Sequence, residues 1–305
     1  MACGIGNQKE CAGSGGRIVT IGNKDIRVDV SLRGAELQSI SYKGMEYLWY
    51  GDKTYWADRA INLFPYIARL TRGTYIYDKK EYHMDIHGFI KSMDFDVESQ
   101  NEDSVTLRVT SNETTLHQYP FEFVLRIIYS VLGNMLSVRY EVTNDSGRDM
   151  YFGIGGHPGF VVGASGESSF DDHYLEFCEP CSPQRITFSK DNFVNGEREY
   201  PLEGGRIIRL AHNLFDDDAL VLKNTSKCVT LKNTSNQRAV RVEFPNMNYL
   251  GIWHTPNTDA PFVCIEPWSS LPSRDGIVED IAKQPDLIKL PKNEVYTNEW
   301  SIVIS

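Results

Sequence analysis

The sequence predicts an all-β fold, a large antiparallel β-sandwich with very little helix. Three observations lead there. Apolar and polar residues alternate with a period of two in one run after another. Gly, Asn and Asp turn signals separate the runs, and helical periodicity is nearly absent. Strands at such close spacing belong to packed antiparallel sheets rather than to βαβ units.

The elements follow in chain order. In Ile26-Arg27-Val28-Asp29-Val30-Ser31-Leu32 the apolar side chains take every second place, as a strand with one buried face requires. Shorter strand-like runs cover residues 105–109 and 123–131, and alternation returns at 136–142. Further runs lie at 229–232, 240–244 and 300–304. Between them sit Lys43-Gly44, Asp78-Lys79-Lys80, Gly133-Asn134, Asn144-Asp145-Ser146-Gly147 and Gly204-Gly205, all turn chemistry. The best helical candidate is residues 276–283, two turns at most. No internal repeat, linker or composition break interrupts the rest. Residues 17–305 therefore read as one domain behind a flexible leader, residues 1–16.

Composition narrows the function. With 41% hydrophobic and 24% charged residues the chain is globular, not disordered, collagenous or coiled-coil. A net charge of −10 leaves no basic footprint for nucleic acid or an anionic membrane. No apolar run reaches the ~18–20 residues of a membrane span. The leader lacks the charged and apolar regions of a secretory signal, so a cytoplasmic location is expected. Six cysteines are too sparse for a disulfide scaffold and are expected to be reduced. Cys178-Glu-Pro-Cys181 is a single CxxC pair without the second pair a structural zinc needs. It reads as two partly buried thiols, and no metal is expected.

Three stretches break the strand pattern while concentrating ionisable groups: Asp85-Ile86-His87-Gly88-Phe89, Gly155-Gly156-His157-Pro158-Gly159-Phe160, and Cys264-Ile265-Glu266-Pro267-Trp268. Three glycines and a proline around His157 shape the backbone, since glycine admits close approach and proline fixes φ. Glu266 ends an apolar run, where an unpaired carboxylate is expensive. Together the imidazoles and the carboxylate make an acid/base set. Plainer readings stand beside this: His87 as a satisfied loop histidine, His157 as turn decoration, Glu266 in an ion pair with an arginine such as Arg69. His83, His117, His173 and His212 lie in a hairpin or polar loops, and His254 reads as part of a solvated face. Trp49, Tyr50, Tyr55, Trp56, Tyr66, Trp253 and Trp268 fall near the candidate stretches. Such rings stack on the C–H faces of sugars, or simply fill a core. Arg69 offers a multi-donor fork, and one of Asp216-Asp217-Asp218 opens a strand. HExxH, GxSxG, P-loop and strand-to-helix GxGxxG patterns are absent, which disfavours hydride and phosphoryl transfer.

At these residues the chain resembles the aldose 1-epimerase (galactose mutarotase-like) family, particularly its LacX-type branch. The matching features run in order: Gly34-Ala35-Glu36-Leu37-Gln38-Ser39-Ile40, Phe64-Pro65 through Arg69, His87-Gly88-Phe89, Tyr119-Pro120-Phe121, Gly156-His157-Pro158-Gly159-Phe160, Asp218-Ala219-Leu220 and Cys264-Ile265-Glu266-Pro267-Trp268. The resemblance implies a β super-sandwich, no required cofactor, and exchange of the α and β anomers of a free hexose. It puts the general base on Glu266 and the general acid on His157. His87 matches a histidine that binds and polarises the sugar, and Arg69 an arginine that holds a hydroxyl. The substrate-binding aspartate falls on Asp218, or on Asp217 in the neighbouring register. Gly-Gly-His-Pro-Gly replaces the Asn-x-x-x-His stretch of the well-studied mutarotases, which bears on galactose specificity. Alternatives are a hexose 6-phosphate substrate, with Arg59, Arg69 and Arg72 as candidate phosphate ligands, and a non-catalytic sugar-binding sandwich. A monomer or homodimer is expected.

Overall fold

A computed structural model describes residues 17–163 and 169–305. The leader lies outside them. Two large antiparallel sheets dominate. One has nine strands, ordered Ile207–Arg209, His173–Phe177, Cys228–Asn233, Ala239–Glu243, Val295–Ile304, Met135–Asn144, Phe123–Leu132, Ser104–Thr110 and Asp96–Gln100. The other has seven, ordered Val194–Glu199, Gln184–Phe188, Leu220–Lys223, Tyr249–Trp253, Phe262–Trp268, Gly155–Val161 and Ala60–Leu63. A four-stranded sheet formed by residues 18–46 covers part of the same core.

The alternation read from the sequence is the alternation of burial. Ser104–Thr110 buries every second residue. Phe123–Leu132 and Met135–Asn144 pair in a register that closes on Leu132↔Met135 across Gly133-Asn134, with Gly133 at φ 61°. That positive φ is what a two-residue hairpin turn requires. Leu125, Ile127, Val138, Trp300 and Ile302 of the nine-stranded sheet meet Leu220, Leu222, Leu250, Ile252, Val263 and Ile265 of the seven-stranded one. Tyr140 bridges the two sheets, its hydroxyl 3.1 Å from the Gly155 carbonyl and 3.0 Å from Asn62 Oδ1.

The sheets come close at Gly156, where an added Cβ would lie 2.5 Å from Trp300 Cζ2. An indole packed in a dense core cannot yield that space freely. Gly156→Ala is expected to cost about 1–3 kcal/mol, read as a lower denaturant midpoint. An unchanged midpoint would mean that Trp300 moves aside.

The central strands of the seven-stranded sheet are covered on both faces and lose the polar half of the pattern. All seven residues of Phe262–Trp268 are buried. Val263 and Ile265 enter the core between the sheets, while Cys264 and Trp268 join separate apolar clusters on the outer face. Glu266 shares that outer face by the period of two.

Three expectations are corrected. Residues 276–283 form no helix: Gly276 sits at φ 71°, and Glu279 accepts hydrogen bonds from the backbone and guanidinium of Arg274. The one α-helix among the described residues is Glu113–Gln118, started by an Asn112 capping box. Cys178 and Cys228 are joined in a disulfide, contrary to the expected free thiols. They lie 50 residues apart in sequence, yet the pairing of His173–Phe177 with Cys228–Asn233 brings their Cα atoms to 5.4 Å. Cys181 and Cys264 are free, so the CxxC pair is not a unit. Among the described residues no helix is long and apolar enough to cross a membrane.

Candidate functional site

The outer face of the seven-stranded sheet carries a cleft of about 270 Å³, close to the lower bound of ~300–1,000 Å³ for small-molecule sites. Register builds its floor. Gly155 pairs with Trp268 and Gly159 with Cys264, which sets His157 directly across from Glu266 on adjoining strands. On Glu266's other side the partner is Gly251. Its missing side chain matters, because a Cβ there would come within 3.2 Å of Glu266 Cβ and 3.1 Å of the Trp268 ring.

His157 Nε2 lies 3.2 Å from Glu266 Oε2. The side chains come from positions more than a hundred residues apart, and both are buried, at 7% and 1% exposure. The approach is close but not aligned as a hydrogen bond. Glu266 Oε2, His157 Nδ1 and Trp268 Nε1 are all buried polar atoms without hydrogen-bond partners. Such atoms are costly unless a ligand or water meets them. Burial pushes the His157 imidazole down to about 3, helped by the nearby Lys91 charge. Burial, then repulsion from the Asp218 carboxylate, holds the Glu266 carboxyl well above its ordinary range. Both shifts favour the uncharged forms, a protonated carboxyl and a neutral imidazole.

The walls hold the other sequence-predicted residues. His87 stands at φ 66° beside Gly88, where a Cβ would lie 2.2 Å from the Phe64 carbonyl oxygen. That left-handed loop turns the His87 ring edge-on to His157, centroids 5.5 Å apart. His87 Nδ1 accepts from the Ala68 N–H at 3.2 Å, which assigns the ring proton to Nε2. Burial holds this imidazole well below its ordinary value. Arg69 lines the cleft with its side chain exposed and forms no ion pair among the described residues. The alternative Glu266–arginine pair does not form.

Asp218 faces the cleft, whereas Asp216 and Asp217 are exposed outside its lining. The carboxylate of Asp218 accepts from Trp253 Nε1 at 2.8 Å and from Asn192 Nδ2 at 2.7 Å. Trp56 stacks on His157 at 4.8 Å, and Trp253 meets the same ring edge-on at 5.6 Å. Of the aromatic residues singled out, Trp56, Trp253 and Trp268 line the cleft. Trp49 and Tyr66 are core, the latter donating to Gln284 Oε1. Sequence reasoning missed Asp58, Lys91 and Asn192, all lining residues. Asn192 alone carried a signal, as a residue type that tolerates the left-handed φ it adopts, 62°. His254, read as solvated, is fully buried. Arg59 and Arg72 lie outside the cleft lining, and Arg59 donates instead to the Gln38 carbonyl.

Cys264, two residues from Glu266 on the same strand face, brings its sulfur within 4.8 Å of ligand atoms of His157 and Glu266. These are the residues that could hold a thiophilic ion, though Cys264 is not among the lining residues.

The family model described as aldose 1-epimerase matches residues 17–302. The plasmid-encoded protein LacX of Lactococcus lactis subsp. lactis is 31% identical over 300 residues, covering 94% of this chain and 99% of that protein. A galactose mutarotase related enzyme from Lactobacillus acidophilus superposes with a TM-score of 0.91 at 31% identity, over 95% of this chain and 97% of that one. A galactose mutarotase-like protein from Lactobacillus casei gives 0.89 at 32% identity, over 95% and 100%.

Proposed function

The chain belongs to the aldose 1-epimerase family, and from that premise we propose that it interconverts the α and β anomers of a free hexose. The observation that carries the proposal is the His157–Glu266 pair, 3.2 Å apart at the floor of a cleft that admits a small molecule. Pure sugar binding does not need two buried ionisable groups facing each other, because their desolvation is unfavourable. Their presence supports turnover over a non-catalytic sandwich.

Ring opening begins once the single proton of the pair has passed from Glu266 to His157 across their 3.2 Å separation. Glu266 takes the proton from the C1 hydroxyl while His157 delivers its own to the ring oxygen. The C1–O5 bond breaks, giving the aldehyde, a neutral imidazole and a protonated carboxyl. That last arrangement is the one burial favours. Rotation about C1–C2 presents the other face of the carbonyl, and the two groups exchange roles for closure. Asp218 and Arg69 bind hydroxyls, His87 donates from Nε2, and Trp56 and Trp253 cover the apolar face of the ring. No cofactor enters any step.

Polarimetry on freshly dissolved α-glucose and α-galactose tests the proposal, with acceleration of the optical change expected over the buffer rate. No acceleration with either sugar or its 6-phosphate ends it. The phosphorylated substrates belong in that panel because Arg69 and Lys91 both line the cleft without an ion-pair partner among the described residues. Two such cations suit a phosphate.

The pair also predicts the pH profile. On the acid side activity falls when a second proton enters the pair, and burial of His157 moves that limb towards about 3, well below the ordinary imidazole value. On the alkaline side it falls when the shared proton leaves, which the raised Glu266 carboxyl delays. We expect kcat/KM at about pH 5.5 to stay within about twofold of its value at about pH 7. A loss centred near the ordinary imidazole pKa of ~6.5 would contradict the assignment.

A further inference from the structure

Asp218 sits on a loop, two residues before the strand Leu220–Lys223. The loop begins with the short 3-10 turn His212–Phe215 and ends where the Asp218 N–H donates to the Phe215 carbonyl at 2.9 Å. Asp218 adopts φ 73°, a left-handed conformation unfavourable for a residue with a Cβ, so its surroundings must impose it. They do so from two sides. On the cleft side Trp253 and Asn192 donate to the Asp218 carboxylate. On the far side His212 Nδ1 lies 3.1 Å from Nε2 of His254, the residue next to Trp253.

The second contact is tautomer-matched. His254 Nδ1 lies 2.8 Å from the Thr255 carbonyl oxygen and so carries the proton, leaving Nε2 to accept from His212 Nδ1–H. Phe170 stacks on His212 at 4.1 Å and meets His254 edge-on at 5.2 Å, while Phe215 packs on His254 at 4.4 Å. These rings shield the contact from water. Burial also pushes the His254 imidazole down to about 4, which keeps it a neutral acceptor.

We infer that the His212–His254 hydrogen bond is a positioning contact for sugar binding, clamping the Asp218 loop to the strand that carries Trp253. Neither histidine touches the cleft, since neither is among its lining residues. Both act through Asp218 and Trp253, so the inference rests on the epimerase reading of the cleft. Loss of the contact loosens the substrate-binding carboxylate of Asp218 without touching the groups that move protons. The effect should appear in KM rather than kcat.

The test compares His212→Ala, His212→Asn and His212→Gln. Asn keeps a donor near the Nδ1 position, whereas Gln carries it one carbon too far. The expected result is a KM raised roughly 3- to 10-fold in the Ala and Gln variants, the effect of one lost hydrogen bond. Asn should restore it, with kcat within about twofold throughout. If the contact works through Asp218, the His212→Ala effect should disappear in an Asp218→Ala background. Wild-type KM in the Ala and Gln variants overturns the inference. Equal impairment of all three variants, or an effect that stays additive with Asp218→Ala, does the same. Galactose titrations read by tryptophan fluorescence give Kd independently of turnover. Wild-type protein that binds galactose without exchanging anomers overturns the epimerase reading alone. An unchanged Kd in His212→Ala overturns the positioning role alone.

Discussion

Glu266→Gln is expected to lower kcat/KM by about 10²- to 10⁴-fold, the usual contribution of a positioned proton-transfer group. The amide keeps the shape of the carboxyl and the room left by Gly251, so the fold should be retained. It should even gain stability near neutrality. Burial, with Asp218 second, raises the Glu266 pKa in the folded state. A raised carboxyl pKa means that the folded chain holds its proton more tightly than the unfolded chain. Stability then falls as pH rises from the unfolded value of about 4.5 through the folded one. Glutamine removes that loss, so the variant should melt higher than wild type at about pH 7, with the difference shrinking below about pH 4. Polarimetry and thermal melts at both pH values measure the two effects. Undiminished anomer exchange would remove Glu266 from the chemistry.

His157→Gln should bring a loss of similar size, about 10²- to 10⁴-fold in kcat, while sugar binding largely survives. Glutamine places an amide near the Nε2 position but has no ionisation in the working range. Asp218, Arg69 and the ring of Trp253 stay in place to hold the substrate. The linkage here has the opposite sign. Burial lowers the folded-state pKa of His157 to about 3 from the ordinary 6.5. The folded chain therefore binds this proton less readily than the unfolded one, and wild-type stability declines as pH falls between those values. The glutamine variant should lack that decline. Single-turnover polarimetry with fluorescence binding separates kcat from Kd. A variant with normal kcat would show that another group protonates the ring oxygen.

Both predictions depend on a juxtaposition that local pattern does not encode. Alternation in 136–142 or 240–244 states which side chains share a face, because successive Cβ atoms point to opposite sides of a strand. The strands Met135–Asn144 and Ala239–Glu243 formed there. Pattern does not state which strand lies alongside. His157 and Glu266 meet because Gly155–Val161 pairs with Phe262–Trp268, a choice made by packing over the whole sheet. The resemblance to the family links the two residues through the order of motifs, not through a local physical pattern.

The misreadings share one cause. His254 looked solvated because its neighbours in the chain are ordinary strand residues, and its burial comes from Phe170 and Phe215, which arrive from elsewhere. Cys178 and Cys181 read by spacing as two partly buried thiols, while Cys178 finds a partner in Cys228 on a neighbouring strand. Residues 276–283 have a helix-like pattern, but Arg274–Glu279 bonding and a bridge to Ile76 hold them as loop. Lys91 had no local mark at all.

By itself the sequence determined the all-β class, the faces of its strands, and the glycine-rich and apolar settings of His157 and Glu266. Those properties depend on side-chain period and backbone permissiveness, which act within a few residues. Tertiary structure alone decided that the two groups share a buried floor, that Asp218 rather than Asp217 faces it, and that His212 meets His254. Proton affinity and hydrogen-bond reach depend on desolvation and on distances of a few ångströms between remote segments, and only the packed sheets set those.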